Sequence, residues 1–381
     1  MVNITYRHFH EGDDKQLAKL FVDAFQMTGI SRIDTESEWH WRYPSDPDFE
    51  PEMIQIAEDS ENDRLVGMVI VNRVERVLFN SNEYLVGDVN DVSTDPRYTR
   101  QGIAKKLMEM AFDYMQSRDC DYSILTAVPK GFPRKKIYLK MGYEDVEHGY
   151  ATIGFPYFLK FIKDMPLFSP ALPIFATLNY GGRFLNRLRI KLDSSFRNFS
   201  YEIVHNNRHW EVMDVINRIL SKNYTGFYPY DRKIYRWMRI NVPNKDYEPT
   251  YVLIKKNGNI IGGGTLTSSR LVSKKLKFKF GFTILHEIYL DKSFFLNKRE
   301  LHFGYLYLID KILKAAVQRK EGAFFYLSIK SDVDLRRTFT SIGLLQHPME
   351  VIMLKALKSG LSIPKFKKPL YCPTYLSIGL P

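Results

Sequence analysis

The chain has 381 residues, 45% of them hydrophobic and 26% charged, with 55 Lys and Arg against 43 Asp and Glu for a formal net charge of +12. The length suits two or three domains, and the apolar content lets each bury a core. The longest apolar runs are too short and too interrupted to span a bilayer. The opening Met1-Val-Asn-Ile-Thr-Tyr-Arg-His8 is not a secretory signal. The two distant cysteines, Cys120 and Cys372, imply no disulfide framework, so a cytoplasmic location is expected.

In chain order, Ile4 to Phe9 predicts a strand, and Asp14 to Phe25 carries a helical stripe at Leu17, Leu20, Phe21 and Ala24. Thr35 to Arg42 predicts a second helix with a capping signal at its start. Strands are expected at Met53–Ala57 and Leu65–Val71, joined through the turn-like Asp59-Ser-Glu-Asn-Asp63. Tyr84 to Thr94 reads as another strand. It runs into Asp95-Pro-Arg-Tyr-Thr-Arg-Gln-Gly102 and then a helical pattern at Ile103, Leu107, Ala111 and Tyr114. A short apolar strand at Ser123–Val128 follows, then Pro129-Lys-Gly-Phe-Pro133.

The order strand, basic glycine-bearing turn, helix concentrates free backbone N–H groups and the positive end of a helix dipole at one spot. Arg97, Arg100, Lys105 and Lys106 stand beside it. Such a spot suits a diphosphate. Gly102 would let the backbone approach the phosphates closely. On strand alternation, Asp88 and Asp91 should face opposite sides of the sheet unless a bulge intervenes.

Two signatures give the chain a resemblance to the GNAT acyltransferase superfamily. Thr99-Arg-Gln-Gly-Ile-Ala104 is similar to its pyrophosphate loop. Ile137-Tyr-Leu-Lys-Met-Gly-Tyr143 is similar to its Phe-Tyr-x-Lys-x-Gly-Phe run, in the same order and at the usual separation. Thr99 stands where Gln or Arg is usual, and the usual Asn after the fifth strand is missing from Pro129–Pro133.

The resemblance implies a mixed α+β fold and acyl transfer to an amine by direct attack in a ternary complex. Acetyl-CoA or another acyl-CoA would be the cosubstrate, and no metal is required. It implies that Val92, Ser93 and Thr94 pair with the pantetheine arm through their backbone, and that an N–H near Val92 faces the thioester carbonyl. Arg97, Thr99, Arg100, Gln101, Gly102, Ile103, Ala104 and Lys105 would form the rest of the cofactor site. Tyr138 matches the tyrosine that protonates the leaving sulfur. Asp88 occupies the place of a catalytic glutamate in some members, and Asp91 is the second choice as base.

The second half repeats the plan. Tyr6 and Tyr201 are 195 residues apart, Trp41 and Trp237 196, Gly67 and Gly262 195, and Gly142 and Gly343 201. Steady offsets predict two tandem GNAT-like domains, each a mainly antiparallel mixed sheet flanked by helices. We expect a catalytic domain at 1–150, an apolar and basic linker at 151–197, and a degenerate copy with a C-terminal tail at 198–381. In the second copy the loop region Asp291–His302 has no glycine, Phe339 stands at the Tyr138 place, and Glu287 aligns with Asp91.

Prolines at 156, 166, 170 and 173 argue against a long helix in the linker, so packing against both domains is expected there rather than a membrane-surface helix. The lysines of Lys274–Phe280 read as a solvated strand face, and the nine histidines show no metal spacing. A small-molecule or peptide amine is the expected acceptor, and nucleic acid is not an expected partner. Peripheral membrane contact stays open. So do an aminoacyl-tRNA- or long-acyl-CoA-dependent transferase of the same fold, and a non-enzymatic acyl-CoA-binding protein.

Overall fold

The structure, a computed structural model, describes residues 3–26, 31–32, 35–164, 170, 172–205, 208–273 and 278–371. The run Lys274–Lys277 and Cys372 lie outside the described residues.

The elements of the first half are β1 (Ile4–His8), α1 (Asp14–Gln26), β2 (Ser31–Arg32), α2 (Glu36–Arg42), β3 (Ile54–Asp59), β4 (Arg64–Phe79), β5 (Asn82–Thr94), α3 (Ile103–Ser117), β6 (Tyr122–Ala127) and β7 (Glu144–Gly154). Two helices follow, α4 (Phe158–Asp164) and α5 (Leu172–Leu192). The second half has β8 (Phe199–Val204), α6 (His209–Asn223), α7 (Arg232–Arg239), β9 (Thr250–Lys256), β10 (Asn259–Ser273), β11 (Phe278–Leu290), α8 (Lys298–Gln318), β12 (Ala323–Ile329), α9 (Val333–Ser341) and β13 (Leu345–Ala356).

Local chemistry accounts for several boundaries. Thr35 caps α2 reciprocally with Glu38, each satisfying the other's backbone N–H. Pro156, Pro166 and Pro170 come before α5 in the sequence and Pro173 is its second residue, where a missing N–H costs nothing, so none of them breaks the helix. That corrects the expectation that prolines would interrupt the segment.

The strands form one 13-stranded sheet in the order β1-β3-β4-β5-β6-β13-β7-β12-β11-β10-β9-β8, with β2 paired to β10. The order is palindromic about the β13–β7 pair, and the last strand of each half lies in the other half. β13 pairs antiparallel with β6, and β7 pairs antiparallel with β12. At the centre Leu345 pairs with Ile153 and Leu354 with Glu144. An offset of 201 residues, the same as between Gly142 and Gly343, converts one pair into the other. The reciprocity recurs at α2 and α7. Trp41 Nε1 donates to the Trp237 carbonyl at 3.4 Å, and Trp237 Nε1 donates to the Trp41 carbonyl at 2.9 Å. Self-complementary contacts of this kind are the mark of a two-fold relation.

The cores follow this plan. One lies beneath α3 and includes Ile103, Leu107, Ala111 and Met115 with Val69 and Val89. A second lies under α1 and α2 around Leu17, Phe21, Trp39 and Ile70. A third sits under α8 and α9. The fourth is shared: it joins Trp41, Phe79 and Tyr122 of the first half to Trp237, Tyr251 and Ile284 of the second.

Candidate active site

The glycine loop forms where β5 ends. Asp95 Oδ1 accepts from the Arg97 backbone N–H at 3.0 Å, and its carboxylate also takes ion pairs from Arg64 and Arg97, each at 2.8 Å. These contacts turn the chain out of the sheet. Arg100 and Gly102 both take positive φ, 64° and 81°. Gly102 is the residue before α3, and it offers no side chain to cap the helix. The first N–H groups of a helix have no intrahelical acceptor. A Cβ at Gly102 would meet nothing within 4 Å, so the helix end opens onto free space. Arg100, Gln101 and Lys105 are exposed around it, while Ile103 is buried in the core below. Thr99 Oγ1 donates to the Pro96 carbonyl at 3.3 Å.

The second half closes the matching spot. Asn297 Oδ1 accepts from the Glu300 N–H at 3.0 Å, and Glu300 Oε2 accepts from the Leu296 N–H at 3.1 Å. The N-terminus of α8 therefore uses its own side chains on the donors that α3 leaves open. Phe339 is fully buried where the first half has Tyr138.

Beside the loop, β5 and β6 part. They pair in parallel from Val86–Tyr122 to Val89–Leu125 and no further. Beyond that point β5 stays on β4, with Asn90 opposite Ile70, Ser93 opposite Met68 and Thr94 opposite Gly67. β6 meanwhile stays on β13 out to Ala127–Val351. One backbone edge of Val92–Thr94 pairs with no strand among the described residues, which is the geometry that receives an extended chain. On its other edge β6 pairs with β13, a strand of the second half.

A bulge lies at this fork. Three steps along β5 from Asn90 to Ser93 match two along β4, and Asp91 takes φ 46°. The condition attached to Asp88 and Asp91 is thereby met. Gly87 and Val89 face Met115 and the α3 core, so Asp88 points to the opposite side. Asp91, turned by the bulge, accepts a short hydrogen bond from the Tyr43 hydroxyl at the end of α2. Both carboxylates therefore lie on the α1–α2 side.

Asp88 is buried, accepts from Asn72 Nδ2 at 3.3 Å, and has its Oδ1 without a hydrogen-bond partner. Burial holds its carboxyl well above the usual range. Asn72 opposes the shift, as does Arg73, and the nearby charges of Glu75 and Asp91 add to it. Tyr138 lies across the sheet on the α3 side, packed edge-on to Tyr143 at 6.0 Å between ring centres. It is buried, and burial raises its phenol above the ordinary value. The fork thus has a buried carboxyl group on one side and a buried phenol on the other.

Sequence reasoning missed Tyr43, Asn72, Arg73 and Asp46. Arg73 lies 4.0 Å from Asp46 and over the Trp237 ring at 5.8 Å. None of these residues sits in a motif. The repeat offset linking Trp41 to Trp237 was the one sequence signal that pointed to this seam. Glu287, the aligned counterpart of Asp91, is committed to a buried ion pair with Arg239 at 2.8 Å.

Residues 5–146 match the acetyltransferase (GNAT) domain family. A search of the curated proteins returns no match. Among solved structures the chain is similar to Saccharomyces cerevisiae N-myristoyltransferase with bound myristoyl-CoA. That match has a TM-score of 0.67 and 11% identity, and covers 93% of this chain and 79% of that one. It is also similar to a probable N-acyltransferase from Enterococcus faecalis (TM-score 0.56, 11% identity, 93% and 73% covered). A GCN5-related N-acetyltransferase from Anabaena variabilis matches at TM-score 0.56 and 12% identity, with the same coverage. At these identities the likeness is one of fold, and it extends over both halves of the chain.

Proposed function

We propose that the protein is an N-acyltransferase that passes an acyl group from acyl-CoA, acetyl-CoA in the first instance, to a small-molecule or peptide amine. The observation that carries this reading is the uncapped, open helix start at Gly102 beside the fork of β5 and β6. The loop would take the diphosphate on the N–H groups of residues 101–105, with Arg100 and Lys105 as neighbouring cations. Arg97 would assist from its partly exposed position on Asp95. The pantetheine arm would lie along the free edge of Val92, Ser93 and Thr94.

The proposed chemistry needs no metal. The amine, approaching from the α1–α2 side, gives its proton to Asp88, directly or through one water, with Asp91 as the second candidate. The nitrogen attacks the thioester carbonyl, whose oxygen gains charge beside an N–H near Val92. The C–N bond forms, the C–S bond breaks, and the departing thiolate takes the proton of Tyr138.

The chain is read as two tandem GNAT-like copies at 1–150 and 198–381, joined by the apolar and basic segment 151–197. The second copy is not expected to bind CoA. It supplies β13 and the α7 side of the acceptor seam. A longer acyl chain is the second reading, because the fold likeness over 93% of the chain is to an enzyme solved with myristoyl-CoA.

Calorimetric titration of CoA, acetyl-CoA and myristoyl-CoA into the full chain tests both readings. Binding of any of the three supports acyl-CoA use, and their order sets the chain length. Absence of binding by all three refutes it.

A further inference from the structure

We infer that α5 is a membrane-surface helix that lays its outer face on an anionic bilayer. The inner face of α5 is fixed to the second half. Asn186 Nδ2 donates to the Leu306 carbonyl of α8 at 3.2 Å, and Ile190 packs on the core beneath α8. A Cβ at Gly182 would sit 2.4 Å from the Ile342 carbonyl oxygen, so only glycine lets the helix lie this close to the end of α9. Among the described residues the outer face has no such cover. Phe184, Leu185 and Leu192 are 63%, 66% and 78% exposed, and Ile174 and Leu188 are exposed beside them.

At 100° per residue these five side chains fall within an arc of about 100°, and from Ile174 to Leu192 the stripe runs about 27 Å. Arg187 and Lys191 border the stripe on one side, with the exposed Tyr180, and Arg189 borders it on the other. The helix contains no Asp or Glu. An apolar stripe edged by cations and one tyrosine matches a helix lying in the headgroup plane, where basic chains reach anionic lipid while apolar ones enter the acyl boundary. A groove on another protein would need no such one-signed border. No helix among the described residues is long and apolar enough to cross a membrane, which leaves an in-plane contact as the membrane mode for α5.

The test is co-sedimentation of the full chain with phosphatidylcholine vesicles, with and without phosphatidylglycerol, alongside sedimentation velocity without lipid. The expected result is binding to the phosphatidylglycerol vesicles alone, weakening as salt rises. Phe184→Glu with Leu188→Glu should lower the partition at least about tenfold. Arg189→Gln with Lys191→Gln should lower it on the order of fivefold per charge removed. CoA binding should persist in both variants and shows that they fold. Equal partition into both vesicle types, no partition, or an apolar-face variant that binds like wild type overturns the inference. A dimer that Phe184→Glu with Leu188→Glu dissolves would assign the face to a second copy and overturn it equally.

Discussion

Replacing Gly102 by Glu tests the loop most directly, because the structure separates its effect on folding from its effect on binding. Gly102 has φ 81°, so any other residue there pays the left-handed strain of about 1–2 kcal/mol. Its Cβ would meet nothing within 4 Å, so no clash adds to that cost. At about 2.1 cal/mol/K of unfolding entropy per residue, the melting temperature should fall by only about 1–3 °C. Binding should suffer far more. The new carboxylate occupies the space in front of the α3 N–H groups and repels the diphosphate. Losing two or three charge-assisted hydrogen bonds at about 1.5–3 kcal/mol each predicts at least a 100-fold rise in the Kd of CoA. Gly102→Ala carries the same strain without the charge and should show the same melting shift with a smaller binding loss. Calorimetry and thermal melts on the three proteins read both quantities. CoA binding by Gly102→Glu at wild-type strength would refute the site, and a melting drop of ten degrees or more would refute the open-space geometry.

Three further outcomes are expected. Asp88 holds its proton more tightly folded than unfolded. Its contribution to stability is therefore full below the usual carboxylate pKa and is lost as pH rises through its raised folded value. Asp88→Asn should accordingly gain stability over wild type in urea melts at pH 8 but not at pH 4, while kcat/KM falls about 10²–10⁴-fold and loses its acidic-limb dependence; unchanged activity would exclude Asp88 as base. Tyr138→Phe should keep CoA affinity and fold, since the hydroxyl makes no hydrogen bond among the described residues. It should lose about 10²-fold or more in kcat, and steady-state kinetics with normal turnover would remove Tyr138 from the mechanism. A fragment ending at Asp164 leaves β6 without β13 and β7 without β12, so it should aggregate and bind no CoA; a monomeric, CoA-binding fragment would show that the exchanged strand is dispensable.

Local pattern made much of the first half legible. The capping signal at Thr35 is realised as a reciprocal cap on α2. The basic glycine turn falls at the start of α3, where a positive φ and a missing side chain are properties of one residue and its neighbours. Periodicity likewise located the strand that carries Asp88 and Asp91. Alternation alone put the two aspartates on opposite faces. The bulge that reunites them depends on how β5 registers with β4, which no single strand encodes.

What the sequence determined by itself was therefore the local chemistry: which helix begins with open N–H groups, and where a glycine and a tyrosine of the first half have no counterpart at the matching offset in the second. Only the tertiary structure decided the strand exchange that pairs β13 with β6 beside the fork of the first half, and the pairing of Trp41 with Trp237 across the seam. A repeat in sequence fixes two similar units. It does not fix which unit's last strand completes which sheet, because β7 and β13 offer similar edges to either neighbour. The core around Trp41, Phe79, Trp237 and Tyr251 is assembled from both halves in the arrangement that joins them in one sheet.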